Sequence, residues 1–184
     1  MTIKQLRRLE PVQAISDGGA AAGALVGAAL AIGVIALLLG GLRCATGDSR
    51  RVGAHVELFA HRHVVVVAAG IGMAPPVRTR GAYVTAARCS YPVRTREPTG
   101  LLELEPSARA LTLGELFAIW GQPLSTSRLA GFHAPPGTRV AAYLDGRPWP
   151  GDPRAVPLRR HAVIVLEIGP FVPPHRHYAF PPGT

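Results

Sequence analysis

Hydrophobic and polar positions are distributed unevenly along the chain. Asp17 and Arg43 bracket a run of 25 residues, 18–42, that carries no charge and is rich in Ala, Leu, Ile, Val and Gly. About 20 apolar residues at roughly 1.5 Å rise cross the hydrocarbon of a bilayer, so the run predicts a transmembrane helix behind a short tail at 1–17. A signal peptide has a shorter apolar region, about 7–15 residues, and a buried soluble helix would show a polar face. Residues 43–53 then read as a polar linker. From His55 the pattern changes to strand: His55-Val-Glu-Leu-Phe-Ala60 and the β-branched run Val64–Val67 flank a short turn, which is a hairpin signature. Residues 70–87, with Gly, Pro and Thr, read as a loop holding one short strand near 82–85. Leu101–Glu105 alternates apolar and acidic residues, as a half-buried strand does, with Leu102 and Leu104 on one face.

Thr112-Leu113-Gly114-Glu115 fits a capping box at a helix start. Leu113, Leu116, Phe117 and Trp120 follow at i, i+3, i+4 and i+7 and form one apolar stripe. Gly121 and Pro123 close the helix. Two further strands, 139–144 with a turn at Asp145-Gly146 and 162–168, complete the pattern. The expectation is an α+β domain over 54–169, a small mixed sheet with one short packed helix in a β-grasp-like arrangement. The last 15 residues, 170–184, hold five prolines and three aromatics and predict an extended arm. It either wraps its own domain or lies on a neighbour.

Inside the apolar run, Gly19, Gly23, Gly27 and Ala31 recur every fourth residue. On a helix they would line one side and leave a groove for close approach of another helix, with packing as the attractive force in lipid. No ionisable residue falls inside the run, which argues against an ion or proton path there. Three basic residues flank each side (Lys4, Arg7, Arg8; Arg43, Arg50, Arg51), so charge asymmetry sets no orientation. The short N-terminal tail favours an arrangement with the large domain outside the cytoplasm.

Composition adds a sign. The 20 basic residues, 19 of them arginine, outweigh 11 acidic ones for a net charge of +9. The arginines are scattered, form no long basic tract and accompany no nucleic-acid-binding signature. They suit anionic lipid or an acidic partner better than nucleic acid. Two cysteines, Cys44 and Cys89, exclude a disulfide scaffold or a four-cysteine metal ribbon and read as separate thiols.

Candidate chemistry is sparse. His61 and His63 form one H-x-H pair, His175 and His177 another. On a strand, i and i+2 share a face and could chelate copper or zinc through imidazole nitrogens, with His55 joining the first pair if the hairpin brings it round. Arg62 and Arg176 would oppose a cation. Glu103 and Glu105 read as a solvated strand face. No P-loop, nucleophile elbow, zincin or dinucleotide motif occurs.

The stretch 55–180 resembles an uncharacterised bacterial family of membrane-anchored domains. The likeness rests on the His-rich hairpin ending Ala69-Gly70-Ile71-Gly72, on TLGELFAIWGQPL from Thr112 to Leu124, and on Gly151-Asp152-Pro153-Arg154. The family pattern also has a Cys-x-Tyr-x-Leu-His-Thr-His-Asp segment. Here that segment reads Cys89-Ser90-Tyr91-Pro92-Val93-Arg94-Thr95-Arg96-Glu97, with Arg94 and Arg96 in place of the two histidines. The resemblance implies no established activity. It does imply that any metal site built on those histidines is lost here, leaving Arg94 and Arg96 to meet acidic groups, a partner surface or lipid phosphates.

The expected function is therefore a single-pass, membrane-anchored accessory subunit of a larger membrane protein complex, of respiratory or photosynthetic type for example. Its extramembrane basic domain would be periplasmic. An extracytoplasmic copper- or zinc-binding domain is the alternative, and a membrane-bound enzyme of unknown class comes third.

Overall fold

The computed structural model describes residues 42–47, 49–106 and 110–184, all within one unit, Ala36–Thr184. The expected span over 18–42 lies, but for Leu42, outside the described residues. No helix among the described residues is long and apolar enough to cross a membrane.

The expected α+β class, with its β-grasp-like sheet, is corrected by the structure. Among the described residues the domain is mostly β, with thirteen strands and one α-helix of eight residues. A seven-stranded sheet runs in the order β11 (Arg147–Pro148), β10 (Ala141–Leu144), β13 (Val163–Ile168), β1 (Val52–Ala60), β6 (Leu101–Leu104), β5 (Val93–Arg94), and β2 (His63–Val65) also pairs with β1. Most of these strands are too short to carry a readable period, so the sequence pattern undercounts them. Two-residue strands β7 (Leu111–Thr112) and β12 (Pro157–Leu158) pair separately, as do β8 (Arg128–Leu129) and β9 (Phe132–His133).

The centre of the sheet is the parallel pair β1–β13, registered from His55 opposite Val163 to Ala60 opposite Ile168. All six residues of β13 are buried. A strand covered on both faces reads as a continuous apolar run rather than an alternation, and VIVLEI is one. On its other edge β1 is shared. Val52–His55 pair with β6, whereas Leu58–Ala60 pair with β2. The sheet therefore splits beside Val56 and Glu57. Gly100 seals one lip of the split: its carbonyl accepts from Val56 N–H at 2.9 Å. Its φ is +81°, and a Cβ there would sit 2.2 Å from the Val56 carbonyl oxygen, so a side chain is excluded twice over.

The helix α1 (Leu113–Trp120) starts where its capping box places it. Thr112 N–H donates to Glu115 Oε2 at 2.9 Å, and Gly121 ends it in the left-handed region at φ 73°. Leu113, Leu116 and Phe117 are buried in the same core as Leu58, Leu102, Ile164 and Leu166. Burying each such side chain is worth about 1.5–3 kcal/mol. That contribution, not propensity, holds a two-turn helix.

Residues 70–87, expected as a loop, instead contain most of a long hairpin, β3 (Met73–Arg80) and β4 (Tyr83–Ser90). Pro75-Pro76 reads as a breaker. It is tolerated because it falls within the register irregularity between Ala74 and Val77, where no ladder N–H is required. The cysteines, expected as separate thiols, are joined as Cys44–Cys89 across 45 positions. Spacing alone could not bring them together; the folding of 42–51 onto the hairpin does. Leu42 is buried in the core, Ala45 forms a bridge with Ser90, and Arg51 is buried.

The arm 170–184 lies on its own domain. Val172 N–H donates to Glu167 Oε2 at 2.8 Å, His175 meets Glu57, Tyr178 stacks on His55, and Phe180 stacks on His161.

Candidate functional sites

Two clusters of ionisable side chains stand out, one around β6 and one on β1. The first surrounds Glu103 of β6. Arg94, projecting from β5, and Arg96 just beyond it are 4% and 8% exposed. Arg94 Nε donates to Glu103 Oε2 at 2.6 Å, and Arg96 Nε reaches the same oxygen at 3.2 Å. Arg94 also donates to Ser90 Oγ at 3.1 Å, and Arg96 to the carbonyls of Val84 and Thr85 at 3.0 and 3.1 Å. Arg51 donates to the carbonyls of Tyr91 and Pro92 and to Ser90 Oγ. These bonds run from the β3–β4 hairpin to the main sheet, and the guanidinium forks suit that many-bond geometry. Glu103, expected on a solvated face, is turned instead into this ion-paired seam. The register Arg94 opposite Glu103 puts the charges together.

The second cluster occupies the split in the sheet. His55 and Glu57 stand two apart on β1 and so share a face. His55 is 4% exposed; its Nε2 lies 3.0 Å from the Thr99 carbonyl oxygen, and Tyr178 stacks over its ring at 3.8 Å with a 12° interplanar angle. A carbonyl only accepts, so Nε2 carries the proton and Nδ1 presents a lone pair. Burial pushes the His55 pKa below its ordinary value, against the raising effects of the Thr99 bond and the Glu57 charge; the ring is neutral. Its Nδ1 is buried without a hydrogen-bond partner, 3.7 Å from Glu57 Oε1. The other carboxylate oxygen, Oε2, accepts from His175 Nδ1 at 2.7 Å. These groups line a cleft of about 440 Å³ whose walls are Leu58, Phe59, Val64–Val67 and Pro98.

His63 begins β2, whereas His61 precedes it. His61 and Arg62 occupy the hairpin turn with φ of 51° and 69°, so His61 and His63 do not share a strand face. His55 faces Glu57 and Tyr178 on β1. Among the described residues no group of three or more His, Cys, Asp or Glu side chains is arranged to hold a metal ion. Gly19, Gly23, Gly27 and Ala31 lie outside the described residues. Sequence reasoning named His55 and, in a separate pair with His177, His175, but missed Glu57 and Tyr178. The i, i+2 spacing of His55 and Glu57 was an available signal; nothing in the sequence related them to the arm residues, more than a hundred positions away.

Comparison of the chain with protein-family models, curated proteins and solved structures finds no match.

Proposed function

We infer that the protein is a membrane-anchored accessory domain that works on the extracytoplasmic side, attached through its apolar run at 18–42 and engaged with a larger membrane protein complex. The observation that carries this reading is the Cys44–Cys89 disulfide. Disulfides persist in oxidising compartments and are rare in the cytosol, and Cys44 stands two residues beyond the apolar run. The bond ties the domain to the chain directly after that run, which suits a domain held close to a lipid surface. A net charge of +9 favours the same surface or an acidic partner. Val64 on β2 and Val66 just past its end, 69% and 61% exposed, and Phe171 at 58% offer apolar area for a polypeptide contact. The arginines at 94 and 96 serve this role indirectly, by holding the hairpin to the sheet.

The test is purification of the full chain from its native membrane in mild detergent, with thiol alkylation before and after reduction. Sedimentation with membranes after an alkaline wash, alkylation only after reduction, and stoichiometric co-purifying polypeptides through two steps are the expected results. A chain that stays in the supernatant without detergent, or runs alone as a monomer, overturns the reading.

A further inference from the structure

The split in the sheet is unusual in what it brings together. The His55 Nδ1 lone pair is buried without a hydrogen-bond partner, and a second acceptor, Oε1 of the partly covered Glu57 carboxylate, lies 3.7 Å from it. A buried acceptor without a donor is costly, and the fold has had the means to supply one, since His175 already donates to the other oxygen of the same carboxylate. Tyr178 closes the polar end with an aromatic ring. Burial and then the Glu97 carboxylate hold its phenol above the ordinary value, so a second negative charge acts at this end. The remaining walls are mostly apolar, from Leu58, Phe59, Val64–Val67 and Pro98.

We propose that the cleft between β2 and the 98–100 lip binds a small organic ammonium ion with a compact apolar tail, its N–H groups donating to His55 Nδ1 and Glu57 Oε1 and its tail lying along Val64–Val67. The chemistry selects this class. An ammonium brings up to three donors and a positive charge to two acceptors, one of them anionic. A carboxylate ligand would face Glu57 and a lone pair, both repulsive. A metal ion fits less well, because the described residues hold no set of three suitable ligands. The proposal is independent of how the domain is anchored.

The experiment is calorimetric titration of the full chain at pH 7.5 with phenethylamine and with 3-phenylpropanoate, which has a similar ring and tail but the opposite charge. Phenethylamine should bind saturably at one site and 3-phenylpropanoate should not. Glu57→Gln should weaken phenethylamine binding at least tenfold. Val66→Arg, at a wall position that is 61% exposed and so indifferent to folding, should weaken it as well by adding a like charge. Absence of saturable heat with phenethylamine would mean that water alone satisfies the two acceptors, and would overturn the proposal. Equal binding of both probes, or binding unchanged by both substitutions, would overturn it too.

Discussion

Glu103 and Glu57 are both partly covered carboxylates on central strands, and their surroundings differ in one respect. Around Glu103 donors outnumber acceptors: two guanidinium groups converge on it, and a third, Arg51, fastens the same hairpin. Around Glu57 acceptors meet acceptors, with one oxygen engaged by His175 and the other facing the His55 lone pair. Glu167 gives a third case: both of its oxygens are met, Oε1 by Tyr143 O–H at 2.9 Å and Oε2 by Val172 N–H at 2.8 Å. A carboxylate whose donors come from its own fold is a fastening. One that faces another acceptor in an apolar cleft is an opening for a ligand. Counting charges in the sequence does not distinguish them.

The comparison can be broken at several points. Glu103→Gln should have the largest effect, about 3–5 kcal/mol, since it removes the carboxylate from two guanidinium groups in a largely buried setting. Urea unfolding followed by tryptophan fluorescence measures it, and a change under 1 kcal/mol would show that the seam is not a fastening. Cys44→Ser with Cys89→Ser comes next, about 2–5 kcal/mol, read by the same unfolding curve and unaffected by reductant. A loss relative to the parent chain that is just as large in reductant, where the parent's own bond is also broken, would contradict the bond.

The cleft should respond to pH. Burial holds the folded-state pKa of His55 below 6.5, so below about that pH the unfolded chain takes up the proton first. Stability is therefore retained above the ordinary histidine range and declines as pH falls from there through the lower folded-state value. His55→Phe should flatten this part of the stability–pH curve, and an unchanged slope would place the dependence elsewhere.

The smallest effect belongs to Glu167's partner. Burial, and then the bond to Glu167, push the Tyr143 phenol up to about 12 from 10.0. The neutral phenol is thus favoured in the folded state, and its contribution is present below pH 10 and lost as pH rises through about 12. Tyr143→Phe should cost only about 0.5–1.5 kcal/mol at neutral pH and remove the late-ionising phenol from an absorbance titration.

Local patterns along the chain determined a good deal. The helix at 113–120 was legible because its caps and its stripe are contained within ten residues. The turn at Asp145-Gly146 was legible because φ is positive at both positions, 52° and 74°, a geometry that Asp-Gly accommodates. The strand ending at Ile168 announced itself by its apolar run. The mostly β class was not legible, because strands of two or three residues have no period to read and take their identity from the neighbour they pair with. Nor was the hairpin carrying Pro75-Pro76, whose prolines count as breakers until a register irregularity is known to receive them.

Sites depended on tertiary structure still more. Residues 44 and 89 become a disulfide, and residues 57 and 175 a contact, only after the sheet has formed, since no short-range rule relates positions so far apart. The inward turn of Arg94, Arg96 and Glu103 follows from pairing register, and the lone pair on His55 from a carbonyl 44 positions away. Propensity and amphipathic period are local properties carried by neighbouring residues. Which donor meets which acceptor is a property of the packed chain, and in this protein that decided the difference between a fastening and a cleft.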